Sequence, residues 1–201
     1  MDLGRIVALF ADVHGAEGTL RRALELCRDE SVETVALLGD LFDRVEQADP
    51  VVEVLAGWDV VGVYGNHERE VALAAASGEV VLQPATLRLL SGLREQVVID
   101  EVCLIHEEGA WVHHDPVASL FGRVSGRNGR HDPHVHVHVT FAGHTHYRSA
   151  WDERGPIDLA REVLRLHWGR RYLINPGALA AGQFAIWDRE ERTVWFRHLV
   201  R

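Results

Sequence analysis

Five short polar segments each follow an apolar run, and all carry residues able to ligate a metal or move a proton. They are Asp12-Val13-His14-Gly15, Gly39-Asp40, Gly65-Asn66-His67-Glu68, His106 and Gly143-His144-Thr145-His146. Aspartate, asparagine and histidine offer oxygen and imidazole donors, a set suited to Mn, Fe, Zn or Co and not to a soft thiolate site. An Asp between two cations can bridge them, and two cations about 3.5–4 Å apart clamp a phosphoryl group and activate a water. Singly, each segment is weak: a strand-end Asp serves as readily in a turn or a helix cap. The set, in this order, carries the reading.

The elements between these segments explain how they could meet. Arg5–Ala11, Thr34–Leu38 and Val60–Tyr64 are apolar runs of strand length, the pattern of a sheet buried on both faces. Thr19–Glu30 reads as a helix through Leu20, Ala23, Leu24 and Cys27. Asp49-Pro50 reads as a cap followed by a first-turn proline, opening a helix that ends near Gly57, and Glu68–Ala76 reads as another. Strand alternating with helix implies βαβ units and a largely parallel sheet. The second half is richer in short strands: Gln96–Asp100, Val102–His106, Val137–Ala142, Val163–Trp168, Tyr172–Ile174, Phe184–Asp188 and Thr193–Val200. These predict a second sheet packed on the first with helices outside, in one domain spanning residues 1–201. His113 to Asp132 reads as a long loop or partial helix. In an open α/β sheet the carboxyl ends of strands line the ligand crevice, so the five polar segments can converge there.

Composition narrows the chemistry. The chain has no lysine, which excludes a Walker A loop and Schiff-base catalysis, and it lacks GxSxG and GxGxxG turns. An electrophile must then be activated by metal or arginine. A net charge of −9 disfavours a nucleic-acid groove, nuclease activity included, and suits a small substrate or cation-neutralised carboxylates. The two cysteines, Cys27 and Cys103, form no CxxC and fit buried thiols in a reducing cytoplasm. The apolar run Ile6–Ala11 stops at Asp12, too short for a signal peptide or a membrane span.

The pattern DxH…GD…GNH…H…GHTH from Asp12 to His146, with Asn175-Pro176-Gly177 near the C-terminus, resembles the calcineurin-like metallophosphoesterases in their small single-domain bacterial branch. The resemblance covers nearly the whole chain. It implies a four-layer αββα sandwich of two mixed sheets flanked by helices, and a dinuclear centre of divalent cations, Mn first, with Fe, Zn, Co or Ni able to serve. By this resemblance Asp12, His14, Asp40 and His146 hold one metal, and Asp40, Asn66, His106 and His144 the other. His67 would donate a proton to the leaving oxygen, and a metal-bridging water would attack a small phosphomonoester or phosphodiester.

Gly39-Asp40-Leu41-Phe42-Asp43-Arg44 is similar to the GDxxDR segment of the phosphoprotein-phosphatase branch. That similarity implies that Asp43 orients His67 and that Arg44 grips phosphate. It raises diadenosine-polyphosphate or protein-phosphatase activity as alternatives, although no segment reads as a protein-docking surface. A non-catalytic metal-binding scaffold of the same fold is the alternative of another class, and retention of His67 argues against it. The chain departs from many relatives in placing Glu107-Glu108-Gly109 after His106, a change that would disfavour strongly anionic substrates. A homo-oligomer is compatible with the sequence.

The run His134-Val-His-Val-His138 precedes GHTH but is not expected to join the metal site. Val137, Val139 and Phe141 would share one strand face. At about 3.3 Å per residue, most of the earlier histidines fall about 15–25 Å before the strand's carboxyl end. Within the intervening stretch, His113 and His114 are better placed to face substrate.

Overall fold

The computed structural model describes residues 3–106 and 137–199. It contains β1 (Ile6–Phe10), α1 (Glu17–Asp29), β2 (Thr34–Leu38), α2 (Val45–Val54), β3 (Asp59–Val63), α3 (Asn66–Ser77) and α4 (Pro84–Gly92). There follow β4 (Gln96–Ile99), β5 (Val102–Ile105), β6 (Val139–Phe141), β7 (Ser149–Asp152), β8 (Gly155–Pro156), β9 (Val163–Arg165), β10 (Tyr172–Asn175), β11 (Gln183–Asp188) and β12 (Thr193–His198). A 3-10 turn spans Leu179–Ala181.

Two mixed six-stranded sheets result, ordered β3-β2-β1-β11-β12-β9 and β4-β5-β6-β10-β7-β8. β1, β2 and β3 run parallel, as the apolar runs predict. The first sheet is not purely parallel, however, and the late strands do not all form the second one. β11 adds antiparallel to the free edge of β1, pairing Ile6 with Asp188, and carries β12 and β9 with it. In the second sheet β5, β6 and β10 are parallel.

Period-two alternation divides the core. Val7, Leu9, Ala36 and Leu38 face Leu104, Val139, Phe141 and Ile174 between the sheets. Ala8, Phe10, Val35 and Leu37 point the other way, onto Leu20, Ala23, Leu24 and Cys27 of α1 and Val51 of α2. Both faces of β2 are buried, which is why TVALL reads as an unbroken apolar run. Phe141 is wholly buried against the Trp187 ring at 5.2 Å, so Phe141→Ala should cost about 3–5 kcal/mol. The loop or partial helix expected over His113 to Asp132 lies outside the described residues, as do Glu107, His134 and His136.

α2 departs from expectation. It opens at Val45 because Gln47 Oε1 accepts the N–H groups of Asp43 and Arg44, at 2.8 and 3.0 Å. Pro50 therefore lies inside the helix, on its exposed face, where water can take up the carbonyl that its missing N–H leaves unbonded. Asp49 caps a different helix. Its Oδ1 accepts the Gln83 N–H at 3.0 Å and the Thr86 hydroxyl at 2.5 Å, fixing the start of α4 with Pro84 in its first turn.

Candidate metal centre

All five polar segments follow the carboxyl ends of β1, β2, β3, β5 and β6, and the backbone ties them together. The Asp12 N–H donates to Gly39 O (3.1 Å), His14 N–H to Asp40 O (3.0 Å) and Gly143 N–H to His106 O (3.0 Å). The His144 N–H donates to Asp12 Oδ1 at 3.0 Å. Backbone strain is concentrated here. Asp12, His14, Asp40, His144 and His146 all have φ between 48° and 70°. At about 1–3 kcal/mol each, this left-handed backbone takes a sizeable share of a domain's about 5–15 kcal/mol of stability. Turn-making alone would use glycine.

The ligand atoms form overlapping groups, each within 4.8 Å: Asp12, His14 and His146; His14, Asp40 and His67; and Asp40, His106 and His144. Asp40 and His14 each belong to two. His14 Nε2 lies 3.0 Å from His146 Nε2, and His106 Nε2 lies 3.3 Å from His144 Nδ1 and 3.2 Å from Asp40 Oδ2. His106 Nδ1 donates to Leu38 O at 2.7 Å, which leaves the Nε2 lone pair of the neutral ring facing other acceptors. Such convergence of lone pairs needs a proton or a cation among them. Asp12 makes the point most sharply: it is 0% exposed, and its buried Oδ2 has no hydrogen-bond partner among the described residues. The donor set therefore fits divalent cations.

Electrostatics agree. Burial raises the Asp12 carboxyl above its ordinary pKa, although His106 and His146 pull it back in part. Burial would raise Asp40 too, but the hydrogen bond and charge of His106, helped by His67, hold it below the usual carboxylate range. His106 is correspondingly raised: burial disfavours its charged form, but Asp40 outweighs burial. A cation entering here would displace the proton that this pair holds.

The remaining expected residues take more varied places. Asn66 opens α3, is exposed, and lines with His106, Tyr64 and Arg69 a cavity of about 500 Å³. Asp43 Oδ1 is 2.5 Å from His14 Nδ1 and 4.0 Å from His67 Nε2. Its direct partner is thus His14, not His67. A carboxylate on Nδ1 holds the tautomer that leaves His14 Nε2 available to a metal. Arg44 is exposed immediately before α2. His138 lies away from the centre, where its N–H donates to Glu101 O in the β4–β5 turn, at the opposite end of β5 from His106.

Two side chains show a supporting role only in three dimensions. Asn175, fully buried, donates through Nδ2 to Gly143 O (2.7 Å) and Thr145 Oγ1 (3.1 Å), while its Oδ1 accepts the Gly177 N–H (2.8 Å). The Asn-Pro-Gly segment thus braces the GHTH loop. Glu68 accepts three backbone N–H groups from the Asp40 and Asn66 loops. Its signal in sequence is a Glu at the third position of a helix, the reaching-back half of a capping box.

The result is an α/β sandwich whose strand ends carry strained carboxylates and imidazoles in groups that could hold metal ions. Residues 6–192 match the model of the calcineurin-like phosphoesterase superfamily domain, and the chain belongs to that family. Uncharacterized protein MJ0912 of Methanocaldococcus jannaschii is 21% identical over 87% of this chain and 76% of its own length. A metallophosphoesterase from Sphaerobacter thermophilus superposes with a TM-score of 0.68 at 21% identity, covering 98% of this chain and 88% of that one. An archaeal phosphodiesterase gives 0.58 at 19% identity, over 96% and 99%. These structural likenesses show the shared fold. Among the described residues, no helix is long and apolar enough to cross a membrane.

Proposed function

We propose that the protein is a metal-dependent phosphoesterase that hydrolyses a small phosphomonoester or phosphodiester at a centre of two divalent cations, Mn2+ foremost. The observation that carries this reading is the shared membership of Asp40, whose carboxylate is common to the His14–His67 and His106–His144 groups. Asp12, His14 and His146 would hold one cation, and His106, His144 and Asn66 the other, with Asp40 between them. When bound, such cations supply positive charge to phosphoryl oxygens and a water made acidic enough to attack at neutral pH.

The chain's own residues do the rest. His67, half-buried at the mouth of the centre and 4.0 Å from the Asp43 carboxylate, is placed to carry a proton to the departing oxygen. Asp43 braces His14 directly and lies within ion-pair distance of His67. Arg44 offers a guanidinium fork to phosphate oxygens. The test is a Mn2+-reconstituted activity screen over phosphomonoesters, phosphodiesters and dinucleoside polyphosphates. Turnover of at least one class, abolished by chelation, is expected. Metal uptake with no turnover of any class would favour a non-catalytic scaffold.

A further inference from the structure

Asp40 and the Asn66-His67 pair come from separate loops, yet one side chain holds them together. Glu68 Oε2 accepts the Asp40 N–H at 2.9 Å and the Gly65 N–H at 2.7 Å, and Oε1 accepts the Leu41 N–H at 2.7 Å. The residue is 1% exposed. Its bond to Gly65 is local helix capping, which a surface Glu could provide. The other two bonds are not local, and a charge buried for them is costly unless its bonds are well used. The loops also approach as closely as they can: a Cβ at Gly65 would fall 2.0 Å from Asp40 Oδ1.

We propose that Glu68 is a positioning residue whose carboxylate locks the left-handed Asp40 turn to the start of α3, fixing Asp40 relative to Asn66 and His67 for cation binding. The proposal rests on the metal reading above. All three contacts are N–H donors, so the site accepts only an acceptor on both oxygens. A glutamine of the same shape must turn its NH2 toward at least one of those N–H groups in either orientation. Loss of the clamp frees Asp40 to leave its strained conformation.

The experiment compares metal-free wild type with Glu68→Gln, measuring Mn2+ affinity by titration calorimetry and amide hydrogen exchange by NMR. Groups that hold metal ligands in place typically contribute about 10–100-fold to metal affinity. The variant should weaken Mn2+ binding by about that factor, with faster exchange at Asp40, Leu41 and Gly65 while the strand amides of β1 and β2 stay protected. A merely structural role would lower the unfolding temperature and leave Mn2+ affinity intact in the folded variant; that result overturns the proposal. Should the variant not fold, the wild type still decides. Slow exchange at those three loop amides supports the clamp, and exchange at exposed-loop rates overturns it. A wild type that binds no Mn2+ would instead refute the metal reading, while the exchange rates report separately whether Glu68 holds the loops.

Discussion

The two ends of the sandwich treat their acids in opposite ways. At the end bearing Gly4, Glu101 and the β11–β12 turn, carboxylates meet guanidinium groups. Arg5 bonds Asp188 at 2.9 Å, Arg189 bonds Asp100 at 2.8 Å and Arg192 bonds Glu101 at 2.6 Å. At the other end Asp12 and Asp40 are as deeply buried as Asp188, yet among the described residues no arginine pairs with either. Their neighbours are imidazole nitrogens. The contrast is instructive in a chain with net charge −9. Where acids serve the fold, it neutralises them with its own cations. Where they are left to histidines on strained backbone, the missing charge is expected from outside.

Changes at each end should separate these roles. The largest effect is expected from Asp40→Asn, which removes the shared carboxylate. Metal content and turnover should both fall, by more than the about 10–100-fold typical of groups that merely orient ligands. A variant retaining full metal and rate would erase the distinction between the two ends. Next is His67→Ala, which should keep its metals and lose about 10²–10⁴-fold on alkyl esters but much less on nitrophenyl esters, whose leaving group needs little protonation. Equal losses on both would show that His67 positions phosphate or water.

Smaller still, Asp188→Asn at the arginine-rich end should leave turnover and metal content unchanged and cost about 1 kcal/mol of stability at neutral pH. Burial raises the Asp188 carboxyl, but the Arg5 hydrogen bond and charge bring it below its ordinary value. A lowered folded pKa stabilises above the usual carboxylate range, and that share is lost as pH falls through the lowered value. Melting curves of variant and wild type should therefore converge toward acid pH, and a gap that widens there would contradict the sign. The smallest effect is expected from replacing His134, His136 and His138 together by glutamine. Metal content and rate should barely change, whereas loss of half the metal would mean that the strand leading to GHTH is misplaced.

Much of this contrast was legible in one dimension because strands and ligands coincide. An apolar run ending in Asp12 or Asp40 announces both a buried strand and what stands at its end. Thr34–Leu38 is recovered residue for residue, since full burial leaves no polar break to blur it. Less legible were features set by distant partners. The antiparallel addition of β11 to β1 depends on which edge is free, and local pattern says nothing of that. Asp49-Pro50 looked like a helix start because both local signals are present. Gln47, three residues earlier than Pro50, had already capped the helix, and Asp49 serves α4 instead. The same limit applies at the centre. That these acids and histidines converge could be expected from motif order, but not that Asp43 reaches His14 before His67, nor that Glu68 and Asn175 brace the loops.

The central claim is that Asp40 belongs to two cation sites at once. It is tested most directly by elemental analysis of the fully active, Mn2+-reconstituted protein after removal of loosely bound ion. The account predicts about two metals per chain, as a shared carboxylate clamp requires. About one metal per chain in a fully active sample would contradict it.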